Sequence, residues 1–317
     1  MSAPLTLPDE IREPGTVEST VFTATHRLDD SGLYTDESLA RLIDAVPREM
    51  LGFSAMGTDP ENYVWGEADV DGFDGATLLE AVKRGRFWLT VRKVMEVAPD
   101  HAAAVDELYD ALENLCPGFE ATRRSANILI SSPTAMVYYH VDVPQNILWH
   151  VRGRKRVYVY PDWRDDVPED LYEAVLDADR EEDVPYRRAF DDRAEVYDLN
   201  PGEWITWPQN TPHRVENLEG LNVSVSTEHY TPRALRYVRS VRANRTLRKF
   251  GLRPTSAPTE GVGYAARMGV FTAKRLAEKY AARKAVYEYP TNFRIDFDAE
   301  GCMAPIEGRE LPEFGRV

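Results

Sequence analysis

Between residues 126 and 227 the sequence carries eight short stretches with strand character, at 126–131, 135–140, 146–151, 154–160, 194–199, 203–206, 213–217 and 222–227. The breaks between them hold residues that turn a chain: Ser132-Pro133, Gly153, Pro201-Gly202 and Gly220. Short, closely spaced strands with such punctuation predict a barrel or jelly roll. One gap is long. Residues 161–192 form an acidic insertion in which 171–176 reads as a short helix.

The flanks read differently. Residues 1–16, rich in Pro and Glu, read as a tail, and 17–27 alternates as a strand. Thr35 caps a predicted helix running through Leu39, Leu42 and Ile43 to Val46. Residues 62–74 read as loop, 76–83 as helix and 87–91 as strand. Asp100 opens a helix with Ala104, Leu108, Leu112 and Leu115 on one face, closed by Pro117-Gly118. Beyond Tyr230 the pattern is helical, first through Leu235, Val238 and Val241 and again over 271–287, before an irregular, proline-rich 290–317. The expected architecture is mainly β with helical additions: N-terminal α/β elements (1–120) packed on a β core (121–232), followed by a helical C-terminal region (233–317).

Charge and composition narrow the functional classes. The formal net charge is −15, which argues against general binding to nucleic acid phosphates. The balance is uneven, however: residues 231–285 hold 14 Lys and Arg against two Glu. Arg233, Arg236, Arg239, Arg242, Arg245 and Arg248 recur every third residue, a spacing that drifts by about 60° per step on a helix and makes a spiral, not a stripe. Such a segment neutralises the acidic body or a second subunit, and a homodimer is expected. No apolar run approaches the roughly 18 residues of a membrane span. The first residues lack the basic start and apolar stretch of a secretory signal. Two cysteines make no disulfide framework, and a cytoplasmic location is expected.

The chemistry concentrates in residues 138–161. His140-Val141-Asp142 places an imidazole and a carboxylate two residues apart, so on a strand both project from one face. His213, in an alternating stretch after Pro201-Gly202, supplies a further ligand. Two histidines and one carboxylate, with other positions open, form the facial triad of non-haem Fe(II) oxygenases. The parity of His140 continues through Asn146, Leu148 and His150, while Ile147, Trp149 and Val151 make the opposite, apolar face. Lys155 enters the apolar strand that follows, where a lysine pairs with a bound carboxylate. His150 reads equally well as a pocket residue and as a hydrogen-bonded barrel histidine. His26, His101 and His229 read as structural or exposed, and Trp149, Trp204 and Trp207 as core.

His140-x-Asp142, Asn146, Gly153 and Lys155, with the strand ending at Tyr160-Pro161, resemble the signature of Jumonji-C and cupin-like 2-oxoglutarate-dependent oxygenases, in particular the asparaginyl-hydroxylase-like group. Gly202, Pro208, His213 and Asn217 are similar to that group's second motif, with Asn210 where a glycine is usual. The resemblance spans residues 126–230. It implies a double-stranded β-helix, Fe(II) held by His140, Asp142 and His213, Lys155 on the distal carboxylate of 2-oxoglutarate, and Asn146 near the cosubstrate. Where that group often has a threonine for the same carboxylate, three residues before the first ligand, stands Val137. The resemblance therefore implies a substitute hydroxyl from Tyr139, Thr134 or Thr227. A hydroxylase of a protein side chain or small molecule is expected. The alternatives are an iron oxygenase that needs no keto acid and a non-enzymatic cupin-like regulator.

Overall fold

The computed structural model describes residues 3–178, 184–280, 291–309 and 314. In chain order its elements begin with α1 (Thr16–Ser19), β1 (Phe22–Thr25), α2 (Asp36–Ala45), β2 (Leu51–Met56) and β3 (Trp65–Asp69). Then come α3 (Gly75–Arg84), β4 (Phe87–Val91), α4 (Val94–Val97), α5 (Pro99–Leu115), β5 (Thr122–Ser131) and β6 (Met136–His140). The long β7 (Gln145–Val159) precedes α6 (Glu169–Leu176), β8 (Glu195–Leu199), β9 (Glu203–Thr206) and the longer β10 (His213–Tyr230). The chain continues through α7 (Pro232–Lys249), α8 (Gly261–Tyr280), β11 (Thr291–Ile295) and β12 (Met303–Pro305).

β7 and β10 are each shared by two sheets, and that sharing makes the fold. The first half of β7 pairs with β9 and with the second half of β10, which in turn pairs with β5. The second half of β7 pairs with β8 and with the first half of β10, which lies beside β6. The predicted strands 146–151 and 154–160 are therefore one strand with a bend, as are 213–217 and 222–227. The bend in β7 falls at Gly153, with φ +80°; a Cβ there would lie 2.8 Å from the Asn222 side chain and 2.9 Å from the Glu219 carbonyl oxygen. Only glycine meets both demands. The result is the expected double-stranded β-helix.

Alternation along the shared strands separates two interiors. Ile147, Trp149 and Val151 of β7 and Val223 and Val225 of β10 join the main apolar core with Leu39, Leu78, Leu108 and Leu112 from the N-terminal helices. Leu148, Val157, Ile205, Trp207 and Val215 face the other way, into the barrel. α2 and α3 start as their sequences dictate, with Thr35 accepting from the Ser38 amide (3.2 Å) and Asp74 from the Thr77 amide (2.8 Å).

Several expectations are corrected. Residues 62–74, read as loop, contain β3, and residues 290–317, read as irregular, contain β11 and β12; β11 pairs in parallel with β3. Residues 17–27 divide into α1 and the shorter β1. The sheet runs on from β5 through β4, β2 and β3, across residue 120. Of the predicted helix 271–287, the part after Tyr280 lies outside the described residues. No helix among the described residues is long and apolar enough to cross a membrane.

Three arginines in the C-terminal half of α7 bond within the chain. Arg248 bonds Glu169 (2.7 Å) and Glu173 (2.9 Å), Arg245 lies 3.7 Å from Asp177, and Arg242 donates to the Leu176 carbonyl (2.6 Å). Val238 and Val241 pack with Tyr172, Val175 and Leu176. These three arginines thus meet the acidic insertion and seat it against α7.

Candidate metal centre

His140 and His213 are cross-strand partners in the β6–β10 ladder, and Asp142 lies just past the end of β6. Asn210 holds that short connection in place: its amide donates to the carbonyls of Asp142 (2.7 Å) and Val143 (3.0 Å), while Tyr172 donates to its side-chain oxygen (3.1 Å). Asn210 has φ +61°, a left-handed conformation that asparagine tolerates better than most residues, and it stands where the resembling family usually has glycine.

One ligand atom each from His140, Asp142 and His213 lies within 4.8 Å of the other two. The His140 Nδ1–H donates to the Tyr138 carbonyl (2.8 Å) and the His213 Nδ1–H to the Thr211 carbonyl (3.2 Å). A carbonyl only accepts, so both protons sit on Nδ1 and both Nε2 lone pairs are free. The Nε2 atoms stand 3.6 and 3.5 Å from the Asp142 oxygens, too far for strong hydrogen bonds. The buried Asp142 Oδ2 has no hydrogen-bond partner. Burial raises the Asp142 carboxyl above its usual range, and burial with the neighbouring His140 keeps His213 well below that of an imidazole. Two neutral imidazoles and a costly buried carboxylate, converging without bonding one another, fit a divalent cation. The second carboxylate near the site, Glu228, lies outside this ligand group.

The triad opens on a cavity of 170 Å³ between the two sheets. Lys155 and Asn146 line it, as their parity predicts, and so do Trp88, Trp207, Ser226 and Glu228. Lys155 is 1% exposed, and its ammonium lies 5.6 Å from the centre of the Trp88 ring. The His150 Nε2–H donates to the Gly153 carbonyl (3.0 Å), so Nδ1 accepts the Ser224 hydroxyl proton (3.0 Å) and leaves Ser224 Oγ to accept from Lys155 (3.0 Å). Burial, with Lys155 adding to it, lowers His150 to about 3, in keeping with a neutral ring that anchors the lysine. Asn146 donates to Ser226 Oγ (3.0 Å).

The three expected substitute hydroxyls are elsewhere. Tyr139 points to the opposite face of β6 and packs edge-on against Tyr160, with ring centroids 4.9 Å apart. Thr134 is exposed in the turn before β6. Thr227 has outward parity, accepting the Trp149 indole N–H (2.9 Å) and donating to the Ile147 carbonyl (3.3 Å). Val137 does line the cavity, with no hydroxyl to offer. The hydroxyls that the structure brings to the site are Ser224 and Ser226. Their signal was present in the sequence as the alternation of Ser224 and Ser226 with Val223 and Val225. Trp207, read as core, also lines the cavity and packs on His213 at 4.2 Å between ring centroids. Trp88 comes from β4, which periodicity alone does not connect with the motifs.

Residues 91–232 match the cupin-like domain family. No curated protein matches the chain. Among solved structures the chain is similar to Escherichia coli YcfD, at a TM-score of 0.50 and 13% identity, covering 87% of this chain and 69% of that one. A further structure of YcfD, a ribosomal oxygenase in complex with cobalt and 2-oxoglutarate, gives a TM-score of 0.42 and 14% identity over 76% of this chain and 59% of that one. Fold and ligand set together define a cupin-like double-stranded β-helix with a facial triad of two histidines and one carboxylate, the ligand pattern of non-haem Fe(II) oxygenases.

Proposed function

We propose that the protein is an Fe(II)- and 2-oxoglutarate-dependent oxygenase, a hydroxylase acting on a protein side chain or a small molecule. The observation that carries this reading is Lys155: a buried ammonium in the same cavity as the triad, with no carboxylate in ion-pair reach among the described residues. An unpaired buried charge is costly, and an anion that enters the cavity relieves the cost. A dicarboxylate keto acid, with one end at the triad and the other at Lys155, supplies that anion.

His140, Asp142 and His213 would hold Fe(II) on one face. Bound iron with 2-oxoglutarate and O₂ supplies the oxidant for hydroxylating a substrate C–H bond, yielding succinate and CO₂. The chain contributes position and shelter. Ser224, held by His150, fixes the Lys155 ammonium; Trp88 and Leu148 exclude water; and Asn146, tied to Ser226, presents an amide beside the ligands.

Calorimetry of 2-oxoglutarate on protein loaded with Zn(II) tests this reading. Lys155→Ala is expected to weaken 2-oxoglutarate by about 2–5 kcal/mol, well over tenfold, with little change in metal affinity. If 2-oxoglutarate does not bind the loaded protein, the reading falls to an iron oxygenase without a keto acid, in which Lys155 meets a substrate carboxylate, or to a regulator without turnover.

The reading extends to a cytoplasmic homodimer. Two buried free cysteines fit a reducing compartment. Phe250 (81% exposed) and Leu252 on the connection after α7, and Val262 (88%) and Leu276 on α8, expose apolar side chains that a subunit contact would bury.

A further inference from the structure

A second cavity, of 260 Å³, lies where the start of β5 and the end of β10 meet α7 and α8. Four arginines line it, Arg123, Arg239, Arg242 and Arg275, with Tyr230 and Phe271 as aromatic walls and no carboxylate among the described residues. The chain holds 53 Asp and Glu against 38 Lys and Arg, so composition alone would give four arginines acidic neighbours. Arg123, Arg239 and Arg275 make no side-chain hydrogen bond or ion pair among the described residues, and Arg242 uses only its Nε, on the Leu176 carbonyl (2.6 Å). The backbone contributes to this gathering. Between the pairs Ser125–Glu228 and Thr122–Tyr230, two residues of β5 stand opposite one of β10. Such a bulge re-aims side chains. Arg124 bonds Asp106 (3.3 Å), Asp110 (3.2 Å) and Glu113 (2.8 Å), whereas Arg123, held at φ +56°, lines the cavity. A left-handed conformation is costly for arginine, and no partner within the described chain offsets it.

Arg239 and Arg242 are three residues apart on α7, and Phe271 and Arg275 four apart on α8, so each pair shares a helix face. Val262 and Leu276 lie on the opposite face of α8, which keeps the cavity apart from the subunit contact proposed above. Guanidiniums around one partly buried space repel one another, and a bound anion reverses that cost. Their planar forks match phosphate oxygens bidentately. A phosphate ester brings about two negative charges and three acceptor oxygens, more than a carboxylate offers, and the aromatic walls suit its organic body. A nucleic-acid strand needs charges that follow a groove, whereas these four converge on one hole. We propose that this cavity is a binding site for a small organic phosphate of mononucleotide size. It shares no lining residue with the metal centre, and the assignment does not depend on the oxygenase reading.

The test is calorimetry on the full chain at about 0.15 M salt, where loose charge attraction is screened, with AMP, adenosine, inorganic phosphate and citrate as probes. AMP is expected to bind, inorganic phosphate to bind more weakly, and adenosine to give no heat. Arg123→Gly removes the guanidinium and suits the positive φ, so it is expected to weaken AMP about tenfold or more while the urea midpoint holds or rises. Arg239→Gln is expected to weaken AMP similarly. Arg236→Gln makes the same change of charge on α7 outside the cavity and is expected to leave AMP affinity unchanged. No heat from AMP overturns the assignment, as does AMP affinity that survives Arg239→Gln or falls equally in Arg236→Gln. Citrate binding more tightly than AMP would make the cavity a carboxylate site and overturn it too. A single-stranded RNA that binds more tightly than AMP, with a steep salt dependence and sensitivity to Arg236→Gln, would reveal a nucleic-acid surface instead. AMP binding lost in His213→Ala would place the phosphate at the metal centre and also contradict the proposal.

Discussion

Lys155 gives the site a definite pH dependence. Burial lowers it from 10.5 to about 7 in the ligand-free chain. Between those values the unfolded chain binds more protons than the folded one, so stability rises with pH across that window; below about 7 both states are protonated and the folded state carries the full cost of the buried charge. A bound dicarboxylate holds the ammonium charged, so binding above pH 7 takes up a proton. The affinity of metal-loaded protein for 2-oxoglutarate is therefore expected to fall as pH rises from about 7 to 9, approaching tenfold per unit, and to be level in Lys155→Met. A level profile in the wild-type chain contradicts the assignment. Residue by residue, the ligands were legible because their chemistry is local: His140 and Asp142 share parity, and Lys155 stands at the start of an apolar strand. The hydroxyls were not, because Ser224 and Tyr139 differ only in which way their strands face the cavity, and pairing between distant segments sets that.

Among the elements, the bend at Gly153 decides whether β7 serves one sheet or two. Gly153→Ala forces a Cβ against Asn222 and the Glu219 carbonyl at a positive φ. It is expected to destabilise the protein by about 1–3 kcal/mol, read as a lower urea midpoint. An unchanged midpoint would mean that the bend does not depend on glycine. The strands of the barrel were legible because one face is cavity and the other core, which produces alternation. β2 was missed because every residue from Leu51 to Met56 is buried, so the pattern has no period to detect. β3 and β11 were missed for a different reason: each is short, and they pair with each other across more than 200 residues of sequence, a contact that no local pattern announces.

Over the whole molecule, the charge asymmetry that could have marked a nucleic-acid surface is spent in part inside the chain. Arg242, Arg245 and Arg248 bind the acidic insertion, and Lys274 pairs with the nearly buried Asp177. The exposed apolar side chains Phe250 and Val262 carry the prediction of a homodimer: light scattering is expected to give twice the mass of the 317-residue chain, and Phe250→Glu with Val262→Glu to halve it. A monomeric wild-type chain would leave that surface without the proposed role. The central claim concerns the cavity, and anaerobic titration with Fe(II) and 2-oxoglutarate addresses it most directly. The account predicts a weak visible charge-transfer band that requires both components and is absent from His213→Ala. Iron uptake with no band on adding 2-oxoglutarate, or undiminished iron affinity in His213→Ala, would contradict it.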